Sequence, residues 1–192
     1  MSSSLSSHPH TKPSGTKRPL HIRPARADDT RYIISLSASV QTALTASGSL
    51  QEIGPLARTV VETSIQGSHA YLLELNGQPI GSVLIDPLDG VFVNTANIAY
   101  VSWGVVENLP GPFWYLHALM LEPADQGSGL GREFLEGVLR LMKMEQRRDG
   151  VVILDCWAGN EKLRRFYADV GFQHHGDFPE NDYHISVYIF AL

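Results

Sequence analysis

The sequence predicts a single domain of mixed α/β structure. Segments with a strand's two-residue period, or a continuous apolar run, alternate with segments whose apolar residues recur every three to four positions. The chain has 192 residues, a length that suits one hydrophobic core. The predicted order of elements is β-α-α-β-β-β-α-β-α-β. Such interleaving of strands and helices is typical of one mixed domain.

The two ends of the chain differ in composition. Residues 1–18 are rich in Ser, His and Pro, and we expect a disordered tail there, followed by the domain at 19–192. The tail lacks the apolar core of a signal peptide, and the uncharged run 90–106 is too broken to cross a membrane. Cys156 is the single cysteine, which fits a reducing compartment. We therefore expect a cytoplasmic protein with no membrane partner.

Charge is unevenly distributed along the chain. Residues 1–27 contain five basic residues and no acid, whereas residues 28–192 set ten basic residues against all twenty acids and carry a formal charge of −10. Nucleic-acid binding requires clustered positive charge, so this body argues against a nucleic-acid partner. It is compatible with an amine-bearing partner, although an acidic balance also serves solubility.

The first half of the chain predicts a strand, two helices and a hairpin. Residues 20–25 read as a strand, Asp28 or Asp29 can cap the first helix, and Pro55 can open the second. The hairpin consists of strands at 69–75 and 79–86 around the Asn76-Gly77 turn, which is the strongest short-range turn signal in the sequence. Residues 87–112 have no clear assignment.

The second half predicts three strands and two helices. The first of these helices has a stripe of apolar residues from Leu130 to Met142, with charged residues opposite. The second is capped by Asn160 and ended by Gly171. The strands are 113–121, 151–157 and 184–190, and the middle one is apolar enough to be buried on both faces.

A glycine-rich segment joins strand 113–121 to the first of these helices. Gly127, Gly129 and Gly131 follow Pro123 and Gln126 there. A strand, a glycine-rich turn and a helix start together favour phosphate binding, because amide N–H groups converge at the positive end of the helix dipole. The spacing matches neither a P-loop nor a dinucleotide fingerprint. Alternatively, the glycines only permit a tight connection.

Two segments resemble the GCN5-related N-acetyltransferase (GNAT) superfamily. Leu119–Pro123 followed by Gln126-x-x-Gly129-x-Gly131 is similar to that family's acyl-CoA loop, with Leu121 in place of Val. The segment NEKLRRFYADVGF, residues 160–172, is similar to its second motif. Both occur in the family's order, with an apolar strand between them. The resemblance implies a central, mostly antiparallel twisted sheet flanked by helices, and acetyl-CoA as the acyl-donor cosubstrate.

The resemblance also implies which residues bind the cosubstrate. Amides from Gly127 to Arg132 would hold the CoA pyrophosphate, strand amides of Leu119 and Leu121 would pair with the pantetheine arm, and one could polarise the thioester carbonyl. Asn160 can contact the same arm as well as cap its helix. The expected cofactor-binding residues are Leu119, Met120, Leu121, Gln126, Gly127, Ser128, Gly129, Leu130, Gly131, Arg132 and Asn160.

Tyr167 is the candidate general acid. Acetyl transfer to an amine requires an ammonium with a pKa near 10 to lose a proton, and a thiolate with a thiol pKa near 8.5 to leave. The family places a tyrosine at this helix position near the acetyl-CoA sulfur. Alternatively, Tyr167 packs in the core with Leu163, Phe166 and Val170.

His117 is the candidate general base. Its strand is similar to the stretch of arylalkylamine N-acetyltransferases in which a histidine relays the amine proton, although Tyr115 stands where that group has a second histidine. A purely structural histidine is the alternative. Glu122 is the fallback base, and it lies beside the phosphate loop.

The sequence therefore predicts transfer of an acetyl group from acetyl-CoA to a primary amine, by direct attack in a ternary complex. The alternative is a non-catalytic acyl-CoA-binding sensor or interaction module. The acceptor, a small-molecule or peptide amine, is not identified. Aromatic residues between 87 and 115 suit either an acceptor site, with Asp86, Asp89 or Glu107 attracting its charge, or core packing with a homodimer contact.

Neither metal chemistry nor a cysteine nucleophile is predicted. Cys156 lies in a strand that reads as buried, without basic neighbours in sequence, so we expect an inert thiol. His174, His175 and His184 lack the spacing of metal ligands and have no evident acidic partner.

Overall fold

The structure is a computed structural model that describes residues 19–88, 103–105, 109, 111–144, 150–180 and 182–192. The predicted tail and most of the unassigned segment lie outside these residues. The described strands are β1 (Leu20–Pro24), β2 (Ala70–Leu75), β3 (Gln78–Pro87), β4 (Phe113–Leu121), β5 (Val151–Trp157), β6 (Gln173–Glu180) and β7 (Tyr183–Ala191). The described α-helices are α1 (Thr30–Ala46), α2 (Arg58–Gln66), α3 (Leu130–Met144) and α4 (Glu161–Val170). None of these four helices has both the length and the apolar character that crossing a bilayer demands.

The strands form one seven-stranded sheet in the order β1-β2-β3-β4-β5-β7-β6. Every neighbouring pair is antiparallel except β4 and β5, which run parallel. This parallel pair requires a crossover, which α3 provides between the two strands. The predicted mixed α/β fold with a mostly antiparallel sheet is confirmed.

Helices cover both faces of the sheet, and each face has its own apolar cluster. On one face α1 and α2 pack through residues such as Ile33 and Val61 against Leu84 of β3. On the other face α3 and α4 pack, with Phe134 fully buried against the strands. Alternate side chains of the central strands therefore point toward one helix pair or the other. A third apolar cluster joins Trp103 to Ile153 of β5 and Val187 of β7.

The predicted hairpin of β2 and β3 is confirmed. Asn76 and Gly77 have φ angles of 53° and 76°. Two consecutive left-handed residues make the type I′ turn that suits the twist of two-residue hairpins.

The second helix begins later than the sequence predicts, because Pro55 does not open it. Side chains of α1 bind the preceding backbone: the Gln41 Oε1 atom accepts from the Ile53 and Gly54 amides at 2.8 and 3.1 Å. The Ser37 Oγ atom accepts from the Leu56 amide at 2.9 Å. These contacts hold the segment 49–57 as an ordered connection, and the helix starts at Arg58.

Strand β6 was not among the predicted elements. Its sequence, QHHGDFPE, is mostly polar and exposed, and it pairs on one side only, with β7. An edge strand with so little burial lacks the apolar alternation on which strand prediction depends.

Candidate active site

The parallel strands β4 and β5 diverge after a short pairing. They are in register at three positions, of which the last is Tyr115 opposite Ile153. Beyond this point β4 continues beside β3, and β5 continues beside β7. A cavity of about 420 Å³ opens at the divergence. Its lining residues are Gln51, Glu52, Ile53, Gly54, Pro55, Leu56, Ala57, Tyr115, Leu116, His117, Ala118, Leu119, Asp155, Leu163 and Tyr167.

A β-bulge in β4 shapes one wall of this cavity. Between the pairs Ser82–Met120 and Leu84–His117, β4 uses one residue more than β3. Ala118 takes up the extra residue with a φ of 51°, a left-handed conformation that alanine rarely adopts. His117 and Ala118 consequently both lie on the side of the sheet that α1 and α2 cover.

His117 is bound to a buried carboxylate. Its Nε2 atom lies 2.8 Å from the Oδ2 atom of Asp86, which is 2% exposed. The same carboxylate accepts a hydrogen bond from the Ser64 hydroxyl of α2 at 2.7 Å. Its other oxygen lies 3.1 Å from the Nδ1 atom of His69, which directly precedes β2. A second histidine thus shares the carboxylate with the predicted base.

The charge on Asp86 is held by these partners. Burial works to raise its pKa, but the hydrogen bonds with His117 and His69, together with that of Ser64, lower it from 3.8 to about 2. Asp86 is therefore ionised throughout the neutral range. Asp86 is buried behind the histidines and does not line the cavity, so it does not face an acceptor directly. The sequence had suggested that Asp86 could attract the acceptor's charge.

A second polar pair bridges the gap between the diverging strands. The Tyr115 hydroxyl donates a short hydrogen bond to the Oδ1 atom of Asp155. The Tyr115 ring also stacks on the His117 ring, with centroids 5.5 Å apart and an interplanar angle of 17°. Burial raises the pKa of the Asp155 carboxyl, while the bond from Tyr115 acts to lower it. Burial and the Asp155 charge raise the pKa of Tyr115.

Tyr167 reaches the cavity from α4 on the opposite face. Its ring packs edge-on to Phe166 and Phe172, with centroids 5.2 and 5.9 Å away. The residue is 6% exposed and still lines the cavity. Burial, with smaller contributions from Cys156 and Asp155, raises the pKa of the phenol. Tyr167 therefore packs in the core and also borders the cavity, and its role as general acid stays a prediction.

The glycine loop follows β4 and leads into α3. Gly127 and Gly129 have φ angles of 75° and 89°, and a Cβ atom at either would meet open space. These glycines are thus required by backbone conformation, and the space beside them remains open for a ligand. Within the described chain, the amides of residues 127–131 donate to no backbone oxygen, whereas the Arg132 amide already donates to the Gly129 carbonyl. Five adjacent donors at a helix start suit a diphosphate.

Other side chains fix the loop to its surroundings. The Gln126 side-chain amide donates to the Leu121 carbonyl at 3.2 Å, and the Ser128 hydroxyl donates to the Asp125 carbonyl at 2.6 Å. Arg132 pairs with Glu136 on the surface of α3. Leu130 begins that helix and is partly buried. Roles for these residues in CoA binding remain predictions.

The residues expected to bind the pantetheine arm lie along the open part of β4, apart from Asn160 at the start of α4. Past Tyr115 the edge of β4 that faces β5 has no ladder partner among the described strands. Leu119 lines the cavity, whereas the Met120 side chain is buried against α1 and α2 and offers only its backbone. Asn160 caps α4 as predicted, because its Oδ1 atom accepts from the Leu163 amide at 3.0 Å.

Several other candidates lie away from the cavity. The fallback base Glu122 is not among the lining residues. It lies beside Tyr32 of α1, and burial together with the Glu122 carboxylate raises the pKa of the Tyr32 phenol. Cys156 is fully buried, and burial raises the pKa of its thiol to about 12, which agrees with an inert thiol. The statement that His174 lacks an acidic partner is wrong, because its Nε2 atom lies 2.8 Å from Asp177.

The described chain contains no group of three or more His, Cys, Asp or Glu residues placed to hold one metal ion. The predicted acceptor residues Asp89 and Glu107, and the aromatic residues Phe92 and Tyr100, lie outside the described residues. Trp103, by contrast, packs in the core with Ile153 and Val187.

The fold and this site define a mixed α/β protein with a glycine loop at a helix start and titratable side chains in a cleft between diverging strands. A family model described as the acetyltransferase (GNAT) family matches residues 43–172, which is more than half of the chain. The chain belongs to the GNAT family of acetyltransferases. A sequence comparison with curated proteins gives no match.

Solved structures share this fold. A GNAT-family acetyltransferase from Listeria monocytogenes is 23% identical, with a TM-score of 0.69 over 90% of this chain and 95% of its own. A polyamine N-acetyltransferase from Drosophila melanogaster is 15% identical, with a TM-score of 0.68 over 91% and 100%. RimL, a ribosomal L7/L12 α-N-protein acetyltransferase in complex with coenzyme A, is 12% identical, with a TM-score of 0.63 over 92% and 96%.

Proposed function

We propose that the protein transfers an acetyl group from acetyl-CoA to a primary amine, by direct attack of the amine in a ternary complex. The observation that carries the proposal is the common cavity of His117 and Tyr167. A base supported by a buried carboxylate and a buried phenol line the same space, and its β4 wall leads into the glycine loop. A module that only binds acyl-CoA needs neither group.

The amides of residues 127–131 would hold the pyrophosphate, aided by the positive end of the α3 dipole. The open edge of β4 would pair with the pantetheine arm, as a further strand would. The residues around the bulge at Ala118 would then border the thioester, where an amide N–H can polarise its carbonyl.

His117 would accept the amine proton. Because its Nε2 atom is bound to the Asp86 carboxylate, the neutral imidazole carries that proton on Nε2 and its lone pair on Nδ1. The lone pair can take a proton from the acceptor ammonium, and Asp86 stabilises the imidazolium that results. The freed amine forms a bond to the carbonyl carbon as the bond between that carbon and sulfur breaks.

Tyr167 would stabilise the departing thiolate. The raised pKa of its phenol keeps the proton in place until sulfur develops negative charge. The phenol can then donate a hydrogen bond and its proton to the sulfur, and the second proton that the nitrogen loses as the amide forms replaces it on Tyr167.

Two observations support an amine as the acceptor: the activities named for the neighbouring structures and the charge of this chain. Those neighbours include an agmatine N-acetyltransferase, a polyamine N-acetyltransferase and a protein α-N-acetyltransferase. All three act on nitrogen, and the acidic body of this chain suits a positively charged acceptor.

The test combines calorimetry with a turnover assay. We expect acetyl-CoA to bind with micromolar affinity, and CoA to be released when an amine is added. Tyr167→Phe should lower turnover about ten-fold or more while CoA affinity is unchanged. Tyr71→Phe is the matched control, since it deletes the hydroxyl of a different buried tyrosine, one that does not line the cavity. Binding without turnover by any amine would favour the non-catalytic module.

A further inference from the structure

The cavity contains a carboxylate that the proposed reaction does not use. Asp155 is the single acidic residue in β5, a strand that is otherwise apolar. Its side chain is enclosed by protein and can be reached from the cavity that it lines. Within the described residues, Tyr115 is the side chain that donates a hydrogen bond to it. Burying a carboxylate costs free energy, which a cationic ligand would offset.

A second acidic side chain lines the cavity, and the described lining residues include no Lys or Arg to balance it. Glu52 lines the cavity from the segment above β5. The charged side chains among the described lining residues are therefore the two acids Asp155 and Glu52.

Asp155 is also separate from the proposed base. Tyr115 lies between them, with its ring on His117 and its hydroxyl on Asp155. An amine that reacts at His117 can consequently place another group against Asp155 only if the molecule extends along Tyr115. A single ammonium cannot be both deprotonated at His117 and paired with Asp155.

The segment 51–57, which we call the roof of the cavity, restricts the size of the acceptor. The Gln51 Oε1 atom accepts from the Trp157 amide at 2.6 Å, which ties the roof segment to the end of β5. The Gln41 side chain ties the same segment to α1. A cavity of about 420 Å³ beneath a segment fixed on both sides suits a small molecule more than a folded protein surface.

We propose that the acceptor is a small aliphatic amine with a second cationic group, and that Asp155 is the specificity residue that binds this second cation. The inference rests on the proposed acetyl transfer and adds the substrate class. Glu52 at the rim attracts the same cation before it reaches Asp155.

The experiment compares 1,4-diaminobutane with 1-aminopentane at saturating acetyl-CoA, by release of CoA. The two amines have the same number of heavy atoms and differ in whether the far end is an ammonium or a methyl group. We expect kcat/KM for the diamine to be about ten-fold or more higher, the scale of one charge-assisted contact. Asp155→Asn should raise KM for the diamine about ten-fold and leave the monoamine within about two-fold.

Asp28→Asn is the matched control, because it makes the same chemical change at an exposed position of the 3₁₀ turn before α1. It should leave both amines unchanged. If Asp155→Asn does not fold, two other results decide the question. The first is the preference of the wild type for the diamine over the monoamine. The second is the variant Glu52→Gln, at an exposed position at the rim of the cavity, which should lower kcat/KM for the diamine alone.

Equal use of both amines by the wild type, or an equal loss of both in Asp155→Asn, would overturn the assignment of Asp155 while acetyl transfer stands. Lack of turnover with either amine and with 2-phenylethylamine would overturn acetyl transfer to small amines, and this inference with it.

Discussion

Asp86 connects three elements at one carboxylate. Ser64 of α2, His69 directly before β2 and His117 of β4 all bind its two oxygens. A histidine whose ring nitrogen is bound to a carboxylate is fixed in its orientation, and the bond selects the tautomer that carries the proton on that nitrogen. The pair of His117 and Asp86 therefore has the properties that the transfer of a proton from an ammonium requires.

We expect Asp86→Asn to lower kcat/KM about ten-fold or more, because the amide holds His117 less firmly and no longer offers a negative charge beside the proton that His117 would accept. The measurement is kcat/KM on folded protein, with Asp28→Asn at an exposed site as the control. An unchanged kcat/KM in folded Asp86→Asn would show that this pair is not the base.

Single residues show what the sequence could and could not predict about the site. Tyr167 and Asn160 lie in a motif with fixed spacing, and the structure places the first at the cavity and the second at the helix cap. Asp86, the partner of His117, lies 31 residues away in the chain, and His69 lies 17 residues from Asp86, so local pattern could not reveal this group. Asp155 did leave a signal, as a lone acid in an apolar strand.

At the scale of elements, the glycine loop and the start of α3 act as one unit. The loop bends through left-handed conformations at Gly127 and Gly129, and α3 then begins with amides that have no backbone acceptor within the described part of the chain. The strand, the turn and the amphipathic helix were each readable from the sequence, because each has a local pattern.

We expect Gly129→Glu to abolish acetyl-CoA binding, because a carboxylate would project into the space proposed for the phosphates. Gly77→Glu is the matched control: Gly77 has a similar φ of 76° and equally open surroundings, but lies in the β2–β3 turn. Both variants incur the same kind of backbone strain, of about 1 to 2 kcal/mol. Calorimetric titration should separate them, and retained affinity in folded Gly129→Glu would place the phosphates elsewhere.

Two elements were less predictable for physical reasons. The bulge at Ala118 depends on pairing with β3, and an alanine gives no local sign of a left-handed residue. Strand β6 is held by its pairing with β7 rather than by buried apolar residues. In both cases the information lies in a partner strand.

At the scale of the whole molecule, the sheet separates two groups of residues of the candidate site. The α3–α4 face carries the glycine loop and Tyr167, and the α1–α2 face carries His117, Asp86 and the roof of the cavity. The two meet where β4 and β5 diverge. This arrangement follows from the one parallel pair in an otherwise antiparallel sheet.

The same buried carboxylate that serves the site also couples stability to pH. Asp86 joins both strands of the β3–β4 pair to α2, and its pKa is about 2 in the folded protein against an ordinary 3.8. Because the folded value is lowered, Asp86 contributes stability that is fully present above about pH 4 and is lost as the pH falls toward 2. Its share is about 1 kcal/mol lost by pH 3 and about 2 kcal/mol by pH 2.

We expect urea unfolding of the wild type at pH 6, 4, 3 and 2 to show this loss. Asp86→Asn should be less stable than the wild type at pH 6, since the donors around residue 86 are left poorly satisfied. Between pH 6 and pH 2 the free energy of unfolding of this variant should fall by about 2 kcal/mol less than that of the wild type. Asp28→Asn, at an exposed site, should follow the wild type. Asp155 acts in the opposite sense, because its raised pKa makes its protonation favour the folded state in acid. Parallel curves for wild type and Asp86→Asn would mean that the carboxylate is not held as the structure has it, and the proposed base would lose its support.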